Sequence, residues 1–383
     1  MIESINAIEV FNSRGEKTIK VIIKTEKGEF FSIAPSGASK SSLEPVSLST
    51  SKSLAIFKKI KSEIEGKEEK EIDRILEKIG GKRFEKIGGA LAIAISQAVY
   101  KSIIHSELFD KTYFPIPLSN VLGGGAHGGY TDIQEFLVFP KKAKSIKEAV
   151  ETNIEILKEL KNYIKKTYGY LGKNDEGAII AKLDNFKALE IVSEISENFK
   201  ACIGIDVAAT QFYKKGYYFF NGKKYRKNEF IDVIIDLAKT YKIKYIEDPF
   251  HEKDFSCFSE LTKKLGKNVI ICGDDLVSTN PKRVKLCIKK KACNGIIIKP
   301  NQVGLVSLAL KSVEIAKTHN IIPVASHRSG ETEDYFIAEF ALFAQCPLLK
   351  CSVSGSERFA KWNRLIEIWE KSKKPKMVEL KIL

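Results

Sequence analysis

Six ionisable residues, Asp206, Glu247, Asp274, Lys299, His327 and Lys350, each end a different apolar run of the 383-residue chain. Their successive separations, read from the numbering, are 41, 27, 25, 28 and 23 residues. Asp206, Glu247 and Asp274 would set three hard carboxylate oxygens around one mouth, which is the donor chemistry that Mg²⁺ selects, with water or substrate completing its octahedron. A single Asp at a strand end is ordinarily a helix cap. Three acids in successive units weaken that explanation. In Asp274-Asp275 the neighbours point to opposite faces of a regular strand, so only one of them is expected to look into the mouth. Lys299 follows Gly295-Ile296-Ile297-Ile298, and burial beside a divalent cation lowers a lysine pKa, as a general base requires. The plainer alternative is a lysine snorkelling from a buried strand to water.

Other segments offer further groups. Ser326-His327-Arg328-Ser329-Gly330-Glu331-Thr332-Glu333-Asp334 joins an apolar strand to an acid-rich helix start, and the Arg328 fork with Ser329 suits phosphate oxygens. Gln134-Glu135 falls in an apolar run and Asp175-Glu176-Gly177 in a loop; carboxyls near a metal can be kept protonated by burial and by each other, giving a general acid for a leaving hydroxyl. Gly123-Gly124-Gly125-Ala126-His127-Gly128-Gly129 has the wrong spacing for a nucleotide loop and suits a mobile segment carrying His127 over a ligand. Pro35-Ser36-Gly37-Ala38-Ser39 reads as a loop after a strand, from which Ser39 would reach a second metal on closing.

The separations match one strand-plus-helix unit, so a (β/α) barrel with its site at the C-terminal mouth is expected rather than an open doubly wound sheet. The runs IQEFLVFP, ACIGIDVAA, IKYIEDP, VIICGDDL, GIIIKP, IIPVASHR and LLKCSVSG, with amphipathic stretches between them, predict a parallel sheet covered by helices. Ahead of it, the alternation of Ile19, Val21 and Ile23, the turn at Glu26-Lys27-Gly28 and the run Phe30 to Ala34 predict an antiparallel meander. Helical stretches near 51–64, 68–79 and 87–108 follow. The expected organisation is a small α+β N-terminal domain over residues 1–117 and a barrel domain over 118–383.

Composition narrows the classes. With 44% hydrophobic and 29% charged residues the chain reads as an ordinary folded protein. The run Gly89 to Val99 is too short to span a membrane, and the N-terminus lacks a basic-then-apolar leader, so a cytoplasmic location is expected. Seven cysteines without a C-x-x-C pair read as reduced core thiols. A net charge of +15 would attract nucleic acid, an anionic membrane or a phosphorylated substrate. Its lysines are spread over amphipathic helices and the tail Lys371 to Lys376, which reads as a solvated surface.

Taken together, the strings NSRG (12–15), APSGAS (34–39), GGGAHGG (123–129), DIQEF (132–136), NDEG (174–177), IDVAAT (205–210), IEDPF (246–250), GDDL (273–276), IKPNQVG (298–304) and SHRSGETED (326–334) resemble the enolase family in order along nearly the whole chain. The chain looks like a short, lysine-rich member of archaeal type. The resemblance implies an enolase-type (β/α)8 barrel and the Mg²⁺-dependent, reversible dehydration of 2-phosphoglycerate to phosphoenolpyruvate. It implies Asp206, Glu247 and Asp274 as Mg²⁺ ligands, Lys299 as base, Glu176 as proton donor with Glu135 assisting, and Ser39 as a ligand of a second Mg²⁺. Gln134, His127, His327, Arg328, Ser329 and Lys350 match the substrate-contacting positions, and a homodimer or higher homo-oligomer follows from the same likeness. The family pattern is broken after Ser39, at Lys40-Ser41 and Pro45 to Ser49. Two alternatives stand beside this reading: a superfamily dehydratase of another carboxylate, and an enolase-like protein that binds RNA or an anionic surface, a role secondary to catalysis.

Overall fold

The computed structural model describes residues 1–37, 43–140 and 142–382; Ser39, Lys40 and Ser41 lie outside the described residues. Alternation in the first segment folds as expected. Strands β1 (Ile2–Phe11), β2 (Lys17–Thr25) and β3 (Gly28–Ile33) form an antiparallel sheet in sequence order. Ile19, Val21 and Ile23 are buried, and they point to the face that helices cover. These helices are α1 (Thr50–Ile64), α2 (Ile72–Gly80) and α3 (Gly89–Ile104). Ser49 caps α1 by accepting from the Lys52 N–H at 3.3 Å. Nearly every side of α3 is buried, because it lies between this sheet and the second part of the molecule. Its Ser96 hydroxyl accepts from the Val306 N–H at 2.9 Å, and its Lys101 pairs with Asp334 at 2.6 Å.

The second part is a closed eight-stranded barrel: β4 (Ile116–Gly123), β5 (Glu135–Phe139), β6 (Cys202–Asp206), β7 (Tyr245–Glu247), β8 (Ile270–Gly273), β9 (Gly295–Ile298), β10 (Ile322–Ser326) and β11 (Leu348–Lys350). Neighbours in the ring follow chain order, and β11 closes onto β4. Two expectations are corrected here. Strand β4, which begins at Ile116, was not among the expected runs. The sheet is also not parallel throughout, since β5 runs antiparallel to both β4 and β6. The segment 124–134 between β4 and β5 is too short for a crossover helix, which a parallel return would need. Reversal brings Glu135, the first residue of β5, opposite Asp206 at the end of β6, at the same mouth as the ends of the parallel strands.

The barrel interior is filled by Ile116, Leu118, Leu137, Phe139, Tyr245, Ile270, Cys272, Ile297, Val324 and Leu348, with Val378, Leu380 and Ile382 of the C-terminal segment packed against them. This plug is apolar, so polar groups are left to gather at the opposite end. A much larger core lies between the strands and the outer helices. No helix among the described residues is long and apolar enough to cross a membrane. All seven cysteines are free.

Candidate active site

Lys350, the last residue of β11, is the hub of the mouth. Its ammonium lies 2.9 Å from Glu247 Oε1, 3.0 Å from Asp206 Oδ2 and 3.1 Å from Glu135 Oε1. Burial works against its charge, but Asp206, Glu135 and Glu247 outweigh that and hold the lysine well above its ordinary pKa. Glu247 also accepts from the Tyr245 hydroxyl at 2.7 Å, and burial together with Asp206 pushes its carboxyl up to about 8. Gln134 donates to Asp206 Oδ2 at 3.2 Å, and its own amide oxygen takes a hydrogen bond from Gln211.

Asp274 is ion-paired to Lys299 and accepts from Gln302 Nε2 at 3.0 Å. Burial pulls the Lys299 ammonium down, yet the Asp274 carboxylate outweighs it and holds the lysine above its usual range. Asp274 and Asp275 both line the mouth, although alternation predicted only one there. Strand β8 ends at Gly273, and the two acids sit in the turn beyond it, where period-two geometry no longer applies. That turn is held by Asp248, which accepts from the Asp274 N–H at 2.9 Å and the Asp275 N–H at 2.8 Å. Asp248 has a backbone φ of 39°, and burial with Asp275 nearby raises its carboxyl well above the usual range.

Glu176 belongs to a loop but is buried, because the segment 173–179 docks on β4: Gly123 N–H reaches Ile179 O at 3.0 Å and Ile179 N–H reaches Val121 O at 3.1 Å. Its carboxylate faces His127 Nε2 at 3.4 Å and His327 Nε2 at 3.9 Å and accepts from Asn120 Nδ2 at 3.3 Å. Burial and the Glu176 charge push Glu135 well up, whereas His127, His327 and Lys350 overcome burial and hold Glu176 low. Burial alone would depress His127, but Glu176 and Asp175 raise it. His327 is driven well below its ordinary value by burial. Two glycines of the segment around His127 sit where a side chain would collide: a Cβ on Gly124 would come within 1.9 Å of Thr131 Oγ1, and one on Gly129 within 2.4 Å of Gly123 O.

The third wall comes from the loop after β10 and from the N-terminal sheet. Arg328 donates to Asn301 Oδ1 at 3.1 Å and meets Glu44 at 3.3 Å. Arg14 donates to Ser329 Oγ at 3.0 Å, and Arg358 donates to the Ser329 and Asp175 carbonyls, both at 3.0 Å. Roles for Arg14, Asn120, Asp175, Tyr245, Asp248, Gln302 and Arg358 escape sequence reading. Arg14 and Asp248 lie inside quoted strings and were visible as motif members, whereas Asn120 and Arg358 carry no local signal.

Six carboxyls line the mouth, from Glu135, Glu176, Asp206, Asp248, Asp274 and Asp275, against the cations Lys299, Lys350 and Arg328. Among the described residues, the trio of ligating type whose donor atoms fall within 4.8 Å of one another is His127, Glu135 and Glu176. Asp206, Glu247 and Asp274 instead clasp the ammonium groups of Lys350 and Lys299. Hard oxygens at the ends of three strands, one of them raised to about 8 by burial and by its neighbour's charge, are donors whose charge a divalent cation neutralises, so the residues fit Mg²⁺.

A barrel whose mouth gathers buried lysines, a surplus of carboxyls and an arginine–serine wall has the architecture of a barrel enzyme, with most of its titratable groups at the C-terminal ends of the strands. The comparisons narrow that class. A model described as the enolase N-terminal domain matches residues 2–108, and one described as the enolase C-terminal TIM barrel domain matches residues 111–377. Among curated proteins, the chain is similar to the enolase of Archaeoglobus fulgidus, 39% identical with 99% of both chains covered. It is 38% identical to that of Methanosphaera stadtmanae, again over 99% of each. Against the enolase of Natronomonas pharaonis it is 36% identical over 96% of this chain and 98% of the relative. This chain belongs to the enolase family, a family of lyases.

Proposed function

We propose that the protein is a phosphopyruvate hydratase, interconverting 2-phosphoglycerate and phosphoenolpyruvate plus water. The observation that carries the reading is one mouth where Lys299 and Lys350 face three strand-end carboxylates, with Glu135 also on Lys350 and Glu176 lining the same mouth. Arg328 and Ser329 bind the phosphate, Ser329 being oriented by Arg14. Lys350, kept charged by its three acids, faces the substrate carboxylate as negative charge builds there. Gln134, His127 and His327 position the substrate between the two sets.

Asp206, Glu247 and Asp274 would hold Mg²⁺, with Ser39 reaching a second ion, and the bound metal supplies the positive charge that a carboxylate-derived dianion needs. Lys299 removes the C2 proton. It serves as base in the enzyme form in which Asp274 no longer neutralises it, since burial then favours the neutral amine. Glu176 delivers a proton to the departing C3 hydroxyl in the enzyme form in which that proton has first passed to it from Glu135, the neutral member of the pair, or from His127. The proton lost at C2 and the hydroxyl lost at C3 balance as one water. The same reading carries a cytoplasmic location, a homo-oligomer, and an N-terminal domain over residues 1–117 that caps the barrel.

The test follows absorbance growth of phosphoenolpyruvate from 2-phosphoglycerate with and without Mg²⁺. Metal-dependent turnover is expected, falling by about 10²–10⁴-fold in Lys299→Ala while the fold is kept. Turnover that survives the substitution would remove Lys299 as base. Turnover of a non-phosphorylated acid with none on 2-phosphoglycerate would overturn the substrate.

A further inference from the structure

Helix Pro281–Lys290 on the outside of the barrel carries Cys287 in its last turn, and Cys293 lies in the short connection to β9. Both are buried, at 0% and 5% exposure. Their sulfurs are 2.7 Å apart, closer than unbonded sulfurs sit in ordinary packing.

Local backbone geometry makes the meeting inevitable. Lys291 is left-handed at φ 51°, the Ala292 N–H reaches Cys287 O at 3.0 Å, and the Lys291 N–H reaches Ile288 O at 2.9 Å. This bond pair is the Schellman reversal, which folds the outgoing chain back across the helix's final turn. Residue 293 is thereby laid against residue 287. Its far side is pinned as well: Asn294 Oδ1 accepts from the Ile271 N–H at 2.6 Å, and Asn294 Nδ2 donates to Gly266 O and Val269 O at 2.9 and 3.0 Å. Two thiols are therefore held face to face by hydrogen bonds on both flanks, and a bond between them asks for almost no movement of the chain.

We propose that Cys287 and Cys293 form a reversible intrachain disulfide, a modification site that takes a low-molecular-weight disulfide as its oxidant. One cysteine thiolate attacks the reagent and breaks its sulfur–sulfur bond, releasing the first thiol. The other cysteine then displaces the second reagent thiol and closes the protein disulfide. Two protein thiols are oxidised by two electrons, one reagent disulfide is reduced to two thiols, and the two protons leave with them. The pair stands ahead of β9, a strand's length from Lys299, so closure ties the helix to the base of the barrel without touching the mouth.

The experiment exposes the full chain to oxidised glutathione, both folded and during refolding from urea, so that access to buried sulfur is not limiting. Alkylation under denaturing conditions without reductant is then counted by mass spectrometry. Five labelled cysteines of the seven are expected, with a cross-linked peptide joining Cys287 to Cys293, and all seven after reduction. Reducing the oxidised protein lowers the melting temperature by about 2–6 °C, a shift absent from a Cys287→Ala, Cys293→Ala double variant. Activity of oxidised and reduced protein is the same within about twofold. Seven labelled cysteines after oxidative refolding, or a bridge between other positions, overturns the proposal. So does a melting temperature that responds to reductant equally in the double variant.

Discussion

Lys101 and Lys350 are both buried lysines, with 3% and 2% of their surface exposed, and their surroundings differ in one respect. Lys101 has a single carboxylate partner, Asp334, 2.6 Å away, and lies over the rings of Tyr335 and Phe31. Asp334 is satisfied in turn: Ser32 donates its hydroxyl at 2.5 Å, and the Ile33 and Phe336 N–H groups donate at 2.7 and 2.8 Å. At contact distance one lysine meets one carboxylate, and both Asp334 oxygens are used. Lys350 faces three carboxylates, and around it Glu135 Oε2, Asn120 Oδ1 and His327 Nδ1 are buried with no partner among the described residues. Buried polar atoms are ordinarily paired, so a cluster of unpaired ones marks a place completed by a ligand. One lysine closes an interface, and the other keeps a site open to chemistry.

The largest effect that separates them is expected from Lys350→Ala. Removing the hub leaves three buried carboxylates facing one another, so turnover falls by about 10³-fold or more and stability by about 3–5 kcal/mol. Urea melts with and without Mg²⁺ sharpen the comparison, because a cation on the freed carboxylates restores part of the lost stability, whereas Lys101→Ala gains no more from Mg²⁺ than wild type does. Equal Mg²⁺ protection of both variants would break the distinction.

Asp334→Asn is the second test. It is expected to cost about 3–4 kcal/mol, since it leaves a buried ammonium without its counter-charge, while turnover per folded molecule stays within about threefold. The pH dependence has a fixed sign. Burial raises the Asp334 carboxyl, but Lys101 and the hydrogen bonds from Ser32 and Ile33 outweigh it and set the folded value below the unfolded one. The pair therefore contributes fully above the ordinary carboxylate pKa of about 4, and its contribution is lost as the pH falls through the lower folded value. In melts taken from pH 7 downward, the gap between wild type and Asp334→Asn should stay constant above about pH 4 and begin to narrow below it.

The barrel was legible because its strands end in chemistry: the spacing of Asp206, Glu247, Asp274, Lys299, His327 and Lys350 already describes a ring of strand-plus-helix units. The antiparallel β5 was not, since an apolar run such as Glu135–Phe139 has the same composition in either direction. Glu135 still reaches the mouth because it opens the reversed strand. The ion pair of Lys299 with Asp274 was hidden for a related reason. Burial can be read from its apolar run, but the Asp274 ion pair depends on a turn that departs from strand geometry. Arg358 and Asn120 act across long separations, Arg358 on Ser329 and Asp175 and Asn120 on Glu176, and nothing near them in the chain announces a partner.

Gly330 joins the two regions and gives the smallest expected effect. The Ser36 N–H donates to Gly330 O and the Gly330 N–H to Ser36 O, each at 2.9 Å, which stitches the N-terminal sheet to the loop bearing Arg328 and Ser329. A Cβ on Gly330 would come within 2.4 Å of Ser36 Oγ, 2.8 Å of Asn12 Nδ2 and 3.0 Å of the Ser36 carbonyl oxygen. The Ser36 hydroxyl is too short to swing clear while its backbone stays paired, so Gly330→Ala pushes the two segments apart, at about 1–3 kcal/mol. Arg14, which donates to Ser329 and to Ser36, moves with its strand and loses its hold on the wall assigned to phosphate. KM for 2-phosphoglycerate should rise several-fold with kcat changed less, and the Lys101–Asp334 tie should survive, leaving the acid melt of the variant parallel to that of wild type. An unchanged KM would mean that the N-terminal sheet supports the loop without orienting Ser329.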